Sequence, residues 1–361
     1  MSRFGFDGLR QFNRLREVLA VLARYGFAEL IQQLRLGRLL PSWARKHPER
    51  ARGLSTAERV RRICEELGPS FIKIGQILST RPDLLPPDWI EELSSLQGRL
   101  PPIPFADIEH EIREAWGDEG WHRLARFDRH PLATASIAQV HRGTLNTGEE
   151  VAVKVRRPGI EEQVEVDLRI LKRLAQLAAD HLPDIARHDP VRIAEEFSES
   201  FRAELELSLE GTNLERFASN FGNRREVSFP AVYWEYTSET ILVTEFIEGP
   251  MALTPPTELD ELGYDRNRLA RVGARAFLKM IIQDGFFHAD PHPSNVLFPE
   301  PDLVCFIDCG MVGRLRPELR EQILGLLLAL IERNAEEAVE AFLGIGYPPD
   351  DLDREQLLRH A

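Results

Sequence analysis

The chain has 361 residues, of which 43% are hydrophobic and 29% charged, and its formal net charge is −13. This length and composition predict more than one compact unit with a full hydrophobic core, and the acidic balance argues against nucleic acid as a partner. Three cysteines are too few for a disulfide framework and favour a reducing, cytoplasmic compartment. We identify no secretory signal and no apolar run of bilayer-spanning length.

Residues 1–54 form the first predicted segment, a basic amphipathic helical arm. Residues 1–50 hold ten Arg and Lys against four acids, a net +6, so the remainder carries −19. Apolar residues recur at helical spacing from Leu15 to Leu34. Two interpretations remain open, an interfacial helix on anionic lipid and a helix packed on the protein body; we favour packing.

Residues 55–125 form the second predicted segment, a helical extension. Ser55 and Glu58 predict a capping box at the start of a helix that reaches Leu67. In the next apolar stretch, Lys73 and Gln76 share one helix face because they are three residues apart. The glycine between them, Gly75, weakens a helix unless another group must approach closely.

Residues 126–249 are predicted to form an N-lobe with inserted helices. Two strands joined by a small-residue turn precede a third strand, Glu150 to Val155, which carries Lys154. Val-Ala-Val-Lys is the pattern of the kinase strand whose Lys contacts the α- and β-phosphates. A protein kinase has a Gly-rich loop over the phosphates. Here the nucleotide would instead meet Ala133, Thr134, Ala135 and Ser136.

Long helices are predicted over 160–181 and 190–221. The second contains Glu204, Glu206 and Glu210, and we predict that Glu210 pairs with Lys154.

Strands are then predicted over 229–232 and 241–249. The second ends in a hinge where Glu245 and Ile247 would present backbone groups to an adenine.

Residues 250–361 are predicted to form a C-lobe, with a helix over 265–284 leading into a catalytic loop. His288, Asp290 and Asn295 have the spacing of that loop in kinases. A hairpin follows, and Asp308 stands at its far end in the position of the kinase Asp-Phe-Gly aspartate, with Cys309 replacing Phe.

These residues together predict phosphoryl transfer from ATP with Mg²⁺. Asn295 and Asp308 would hold the metal, Asp290 would orient or deprotonate a hydroxyl or water, and Lys154 would hold phosphates.

The motifs resemble those of the UbiB/AarF (ADCK-type) family of atypical kinases over about residues 10–345. The matching segments are Lys73–Gln76, Ala133–Ser136, Glu204–Glu206, His288–Asn295 and Asp308–Gly310. The resemblance implies an α+β, bilobal protein-kinase-like fold whose N-terminal helical extension packs over the active site. It further implies that Lys73 and Gln76 occlude that site and that Glu204 anchors Lys73.

The resemblance also implies an ATPase or kinase that supports isoprenoid quinone biosynthesis at the inner face of the membrane. Its implied partners are anionic lipid, quinone precursors and other quinone-biosynthesis proteins. Bacterial members often end in membrane helices that residues 1–361 lack, so we expect the C-lobe to be incomplete. Three residues depart from the family pattern: Thr134, Glu206 and Cys309.

Two other functions remain open. One is a small-molecule phosphotransferase of the aminoglycoside or choline type, which uses a similar catalytic loop but does not account for Lys73 to Gln76. The other is a non-catalytic scaffold that binds nucleotide and lipid.

Overall fold

The computed structural model describes residues 3–40, 51, 53–82, 84–96, 101–222, 224–345 and 357, with the side chains of 3–7 excepted. The chain divides into two compact units. Unit 1 comprises Met1–Ser208 and Tyr233–Val243, and unit 2 comprises Leu209–Val232 and Thr244–Ala361. The part of the predicted arm over 41–50 and residues 346–356 and 358–361 of the predicted C-lobe lie outside the described residues.

Fourteen helices and ten strands are described in this part of the chain. The helices are α1 (Arg3–Arg24), α2 (Ala28–Gln33), α3 (Thr56–Leu67), α4 (Pro69–Leu78), α5 (Pro87–Ser94), α6 (Phe105–Trp121), α7 (Ile160–His181), α8 (Pro183–Ala186), α9 (Pro190–Leu205), α10 (Leu207–Phe221), α11 (Pro256–Glu261), α12 (Arg266–Leu278), α13 (Pro317–Glu332) and α14 (Ala335–Ile345). The strands are β1 (Leu124–Phe127), β2 (Ala133–Thr134), β3 (Ala138–Leu145), β4 (Glu150–Arg156), β5 (Val227–Ser228), β6 (Ile241–Glu245), β7 (Phe286–His288), β8 (Val296–Leu297), β9 (Val304–Phe306) and β10 (Val312–Arg314).

The N-terminal arm packs on the rest of unit 1. Val18, Val21 and Tyr25 share a buried cluster with residues of α3. Arg14 Nε donates to Asp167 Oδ1 at 2.8 Å, and the Asp167 side chain is 1% exposed. The packed interpretation of the arm is therefore confirmed, while lipid binding stays a prediction. None of the helices in the described ranges combines the length and apolar character needed to cross a bilayer.

The helical extension begins with the predicted capping box. Glu58 N donates to Ser55 Oγ at 3.1 Å, and Ser55 N donates to Glu58 Oε2 at 2.6 Å. In α4, a Cβ added at Gly75 would lie 2.3 Å from Leu96 Cδ1. The close approach that Gly75 permits is therefore that of a leucine from the same segment, and the packing of unit 1 explains the glycine.

An antiparallel sheet in the order β1-β3-β4-β6, with β2 paired to β3, forms the centre of unit 1. Along β4, Val151, Val153 and Val155 are fully buried and alternate with half-buried residues that include Lys154. The buried face packs on α6, as expected for a strand with one face in the core. The sheet therefore fixes which face of β4 carries Lys154.

The prediction of one continuous helix over 190–221 is wrong. The chain leaves helical geometry at Glu206, with φ −94° and ψ 92°, and Leu207 N donates to Glu239 O at 2.9 Å instead of to a helical carbonyl. This long-range hydrogen bond ends α9 and starts α10. Glu204 consequently belongs to unit 1 and Glu210 to unit 2.

In unit 2, three strands pair in the order β5-β9-β8. The predicted strand over 229–232 is wrong, because the strand lies at Val227–Ser228 and Val232 makes only an isolated bridge to Thr244. Pro230 has no N–H to donate to a strand ladder, which explains the displacement. Phenylalanine rings pack together behind the strands, with neighbouring centroids 4.6–5.7 Å apart: Phe217, Phe229, Phe286 and Phe306.

Helix α12 continues into a π-helical turn before the catalytic loop. The wider turn lets Lys279 reach Asp284 five residues later, and Lys279 Nζ lies 2.7 Å from both carboxylate oxygens. Both side chains are largely buried, at 9% and 13% exposure. This pair secures the chain immediately before β7.

Candidate active-site residues

The loop after β7 is fixed by its own backbone. Asp290 N donates to His288 Nδ1 at 3.2 Å, and His292 N donates to Asp290 O at 2.8 Å. His288 is 2% exposed, and burial lowers its pKa against the opposing effect of the Asp308 and Asp290 charges. Because Nδ1 accepts a hydrogen bond, the neutral ring carries its proton on Nε2. His288 therefore positions Asp290.

Asn295 is oriented by the same loop. Its Nδ2 donates to Asp290 O at 3.3 Å, while its backbone O accepts from Ile307 N at 3.0 Å. The pairing of Val296 with Phe306 extends this contact into the β8–β9 hairpin. The predicted hairpin is therefore confirmed, and its register brings Asn295 beside the residue that precedes Asp308.

Asp308 begins a tight turn. Its Oδ1 accepts from Gly310 N at 3.0 Å. A Cβ added at Gly310 would lie 3.4 Å from Asp308 Oδ1 and 3.6 Å from Glu210 Oε2. The Glu210 carboxylate, which is 5% exposed, therefore lies next to this turn inside unit 2. The pairing of Glu210 with Lys154 stays a prediction.

Asn213 also holds this turn, and the sequence analysis missed it. Its Nδ2 donates to Cys309 O at 3.0 Å from a side chain that is 9% exposed. Asn213 follows Glu210 by three residues and so lies on the same face of α10. This three-residue spacing was the feature of the sequence that could have indicated a role for Asn213. Cys309, in the place of the usual Phe, is fully buried.

Asn295 and Asp308, which we call the metal half-site, offer oxygen atoms that fit Mg²⁺. Asn295 uses its amide nitrogen within the loop. Its amide oxygen accepts from Ser294 Oγ at 3.4 Å and keeps a second lone pair for a metal. Asp308 supplies a carboxylate. Carboxylate and amide oxygens are the ligands of hard cations. Within the described ranges, no group of three or more His, Cys, Asp or Glu residues could hold a metal by itself. A metal bound by Asn295 and Asp308 would therefore share its remaining ligands with phosphate and water, as Mg²⁺ commonly does.

The predicted hinge lies at the end of β6. Glu245 N donates to Ala231 O at 2.8 Å, and Glu245 Oε2 accepts from Ala231 N at 3.3 Å. Among the described residues, no hydrogen bond reaches the main chain of Ile247. Gly249 follows at φ 156°, and a Cβ there would lie 2.6 Å from Phe298 O. The hinge is thus held at both ends, and the contact of Glu245 and Ile247 with an adenine stays a prediction.

The Ala-rich turn of unit 1 is a β2–β3 hairpin. Ala133 and Thr134 pair with β3, and Ala135 N donates to Ala138 O at 2.8 Å. Arg157 donates through both Nε and Nη2 to Ala135 O at 3.3 Å. Ser136 is 6% exposed. The turn is therefore fixed by its own chain and by one arginine.

Gln139 joins this hairpin to the start of α6, a connection that the sequence analysis missed. Its Oε1 accepts from Ile103 N at 2.7 Å, and its Nε2 donates to Ile103 O at 3.2 Å and lies 3.0 Å from His141 Nε2. His141 Nδ1 lies 2.8 Å from Asp128 O. Burial lowers the pKa of His141, and the Asp128 carbonyl partly opposes this. The ring is therefore neutral, donating from Nδ1 and accepting at Nε2.

The implied anchoring of Lys73 by Glu204 is confirmed. Lys73 Nζ lies 2.6 Å from Glu204 Oε1, with side-chain exposures of 9% and 16%. Gln76 Nε2 donates to Leu96 O at 3.4 Å within the extension. Glu206, the family's Asp position, is exposed and accepts from Ser208 Oγ at 3.1 Å. Occlusion of the active site by Lys73 and Gln76 stays a prediction.

The α+β fold, the lysine-bearing strand and the loop and hairpin of unit 2 define a kinase-like protein. A solved structure from Mycobacterium tuberculosis, described as the complex of Rv3197 with erythromycin, is similar at a TM-score of 0.55 and 25% identity. The match covers 80% of this chain and 72% of that one. Residues 95–342 match the ABC1 atypical kinase-like domain. The chain belongs to this family, and the UbiB/AarF resemblance is confirmed.

Curated relatives extend the similarity over most of the chain. The uncharacterized protein slr0889 of Synechocystis is 34% identical, over 96% of this chain and 86% of that protein. "Protein ACTIVITY OF BC1 COMPLEX KINASE 8, chloroplastic" of Arabidopsis thaliana is 38% identical, over 79% of this chain and 38% of its own. "Probable protein kinase UbiB" of Aeromonas salmonicida is 38% identical, over 95% of this chain and 64% of that protein. The chain thus spans less than two thirds of the last two proteins.

Proposed function

We propose that this chain binds Mg-ATP and hydrolyses it, or transfers its γ-phosphoryl group to a small molecule or lipid. The observation that carries the proposal is the β8–β9 register, which brings Asn295 beside Ile307 and so next to Asp308. Two oxygen donors on adjacent strand ends are what a phosphate-bridging Mg²⁺ requires. When bound, the metal would neutralise charge on the phosphates.

The remaining residues divide the work of phosphoryl transfer. Asp290 is held by the hydrogen bond from its N–H to His288 and by the hydrogen bond from Asn295 to its carbonyl. Its side chain would orient or deprotonate the attacking hydroxyl or water. Lys154 would bind the α- and β-phosphates. The main chain of Ile247 would contact the adenine, and the hairpin of Ala133 to Ser136 would lie along the phosphates. Methyl groups on this hairpin leave less room beside phosphate than glycines do.

The proposed setting is isoprenoid quinone biosynthesis at the inner face of the membrane. Relatives named as probable UbiB protein kinases, at 35–38% identity over 95–96% of this chain, support this assignment. Anionic lipid is the proposed partner surface, because residues 1–50 carry the basic excess of an acidic protein. Quinone precursors and other quinone-biosynthesis proteins are further proposed partners.

The experiment is magnesium-dependent ATP hydrolysis by the purified chain, with and without liposomes containing anionic lipid. Asp308→Asn should reduce turnover at least a hundredfold, because the metal loses a charged ligand. Asp302→Asn is the matched control: Asp302 lies in the turn of the same hairpin and is 52% exposed. We expect parent-like turnover from Asp302→Asn and stimulation of the parent by lipid. Parent-like turnover in Asp308→Asn would contradict the metal role.

A second candidate is a protein that binds nucleotide or another small molecule without turnover. The solved relative is described in complex with erythromycin, which supports small-molecule binding within this fold. Tight ATP binding with no hydrolysis in any lipid condition would favour this candidate.

A further inference from the structure

Unit 2 contains an apolar cavity that the proposed phosphoryl transfer does not use. Its volume is about 350 Å³, and α11, α12 and the β8–β9 hairpin line it. Ligand sites in proteins fall at about 300–1,000 Å³. A cavity of this size therefore has the dimensions of a binding site.

The buried wall of the cavity is formed by hydrocarbon side chains. Val304 and Phe306 are each 1% exposed and Phe298 is 8% exposed, and all three line the cavity with Phe277. Three of these four residues are phenylalanines, whose ring edges and faces suit another aromatic ring. A well-enclosed apolar cavity of about 150 Å³ already takes up benzene. The wall thus favours an aromatic occupant larger than benzene.

The polar residues of the lining indicate an uncharged occupant. Arg266 is the charged residue among them, and it makes two hydrogen bonds to Asp260, at 2.7 and 3.0 Å. Its charge is therefore already balanced. Thr254 adds one hydroxyl to the lining. The cavity can therefore satisfy one polar atom of an otherwise apolar molecule.

Gly273 of α12 borders the cavity and offers direct experimental access to it. A Cβ added there has no heavy atom within 4 Å. Larger side chains at 273 would project into open space without straining the helix, and they would favour helix formation over glycine.

We propose that this cavity binds a compact, uncharged aromatic molecule of two or three rings, with one polar atom towards Thr254. The site lies close to the metal half-site along the chain, because Val296 follows Asn295 and Phe306 precedes Asp308 by two residues. An occupant would therefore contact both strands that position the two metal ligands. Binding itself does not depend on the proposed phosphoryl transfer.

The test is titration of the purified chain with N-phenyl-1-naphthylamine, an uncharged probe whose fluorescence rises in apolar sites. Gly273→Leu should weaken binding at least tenfold, because the leucine occupies the cavity. Gly325→Leu is the matched control, since Gly325 is also a helical glycine with no heavy atom within 4 Å of an added Cβ. It adjoins the exposed Leu324 and Leu328 of α13, so it also tests that face as the binding site.

We expect saturable binding by the parent, parent-like affinity in Gly325→Leu and a thermal midpoint in Gly273→Leu no lower than that of the parent. Absence of binding by the parent, or equal affinity in Gly273→Leu, would overturn the proposal. Altered affinity in Gly325→Leu alone would assign the probe to the α13 face and would also overturn it.

Discussion

The buried ion pair between Lys73 and Glu204 makes a quantitative prediction. Lys73→Met leaves the Glu204 carboxylate buried, and its Oε2 already has no hydrogen-bond partner. Breaking a buried pair by removing one partner costs about 3–5 kcal/mol of unfolding free energy, because the remaining charge is uncompensated. We therefore expect Lys73→Met to destabilise unit 1 by about this amount. Replacing Glu204 by Leu as well should recover part of the loss, since no buried charge is then left alone.

Tryptophan fluorescence measures this effect in the right unit. The four tryptophans among the described residues, Trp89, Trp116, Trp121 and Trp234, all belong to unit 1, and the sequence of unit 2 has none. Tryptophan emission therefore follows the unfolding of unit 1. Urea titrations at pH 7 would compare the parent, Lys73→Met and the double variant. Lys172→Met is the matched control, because Lys172 pairs with Glu195 at 2.5 Å in the same unit but both side chains are about half exposed.

Exposed pairs contribute about 0–1 kcal/mol, so Lys172→Met should change the urea midpoint little. Equal midpoints for Lys73→Met and Lys172→Met would refute the reasoning, because burial would then have no energetic consequence at this pair.

Three further predictions concern packing, hydrogen bonding and pH. Gly75→Ala should destabilise unit 1 by about 1–3 kcal/mol through its clash with Leu96, whereas Gly8→Ala, in open space on α1, should be neutral or stabilising by the same fluorescence assay. Asn213→Leu should lower ATP turnover at least tenfold because Cys309 O loses its donor, while Asn267→Leu, at an exposed helical site, should not. Burial lowers the pKa of His141, so the unfolded chain binds the proton first on acidification and unit 1 should lose stability below about pH 6.5. His141→Gln should remove that part of the pH dependence of the urea midpoint, and an unchanged dependence would contradict the neutral Gln139–His141 contact.

Local signals in the sequence were sufficient for much of the fold. The capping box at Ser55 depends on residues three apart, and the hairpin from Asn295 to Asp308 depends on a turn between two short apolar runs. Helix α7 was predicted with the bounds that the structure has. Such features form from contacts close in sequence, so the pattern alone specifies them.

Features set by distant contacts could not be predicted in this way. The helix break at Glu206 depends on a hydrogen bond from Leu207 to Glu239. Gln139 holds the backbone of Ile103, 36 residues earlier. Each is a tertiary contact that overrides or supplements local preference, and a single sequence does not identify its partner.

The sequence predicted the main residues of the candidate site but not all of the residues that hold them in place. The sequence indicated Asp290, Asn295 and Asp308 from their spacing, and the structure adds the hydrogen bonds that orient them. Asn213 was not predicted because an asparagine three residues from an acid on a helix is common. Its role follows only from the folded structure, in which it donates a hydrogen bond to Cys309 O.

The central claim is that Asn295 and Asp308 hold the metal of a bound nucleotide. Isothermal titration calorimetry of ATP with the parent, Asp308→Asn and Asp302→Asn, each with Mg²⁺ and with EDTA, tests it most directly. We predict that Mg²⁺ tightens ATP binding at least tenfold in the parent and in Asp302→Asn, and that this gain disappears in Asp308→Asn. An equal gain from Mg²⁺ in all three proteins would contradict the claim.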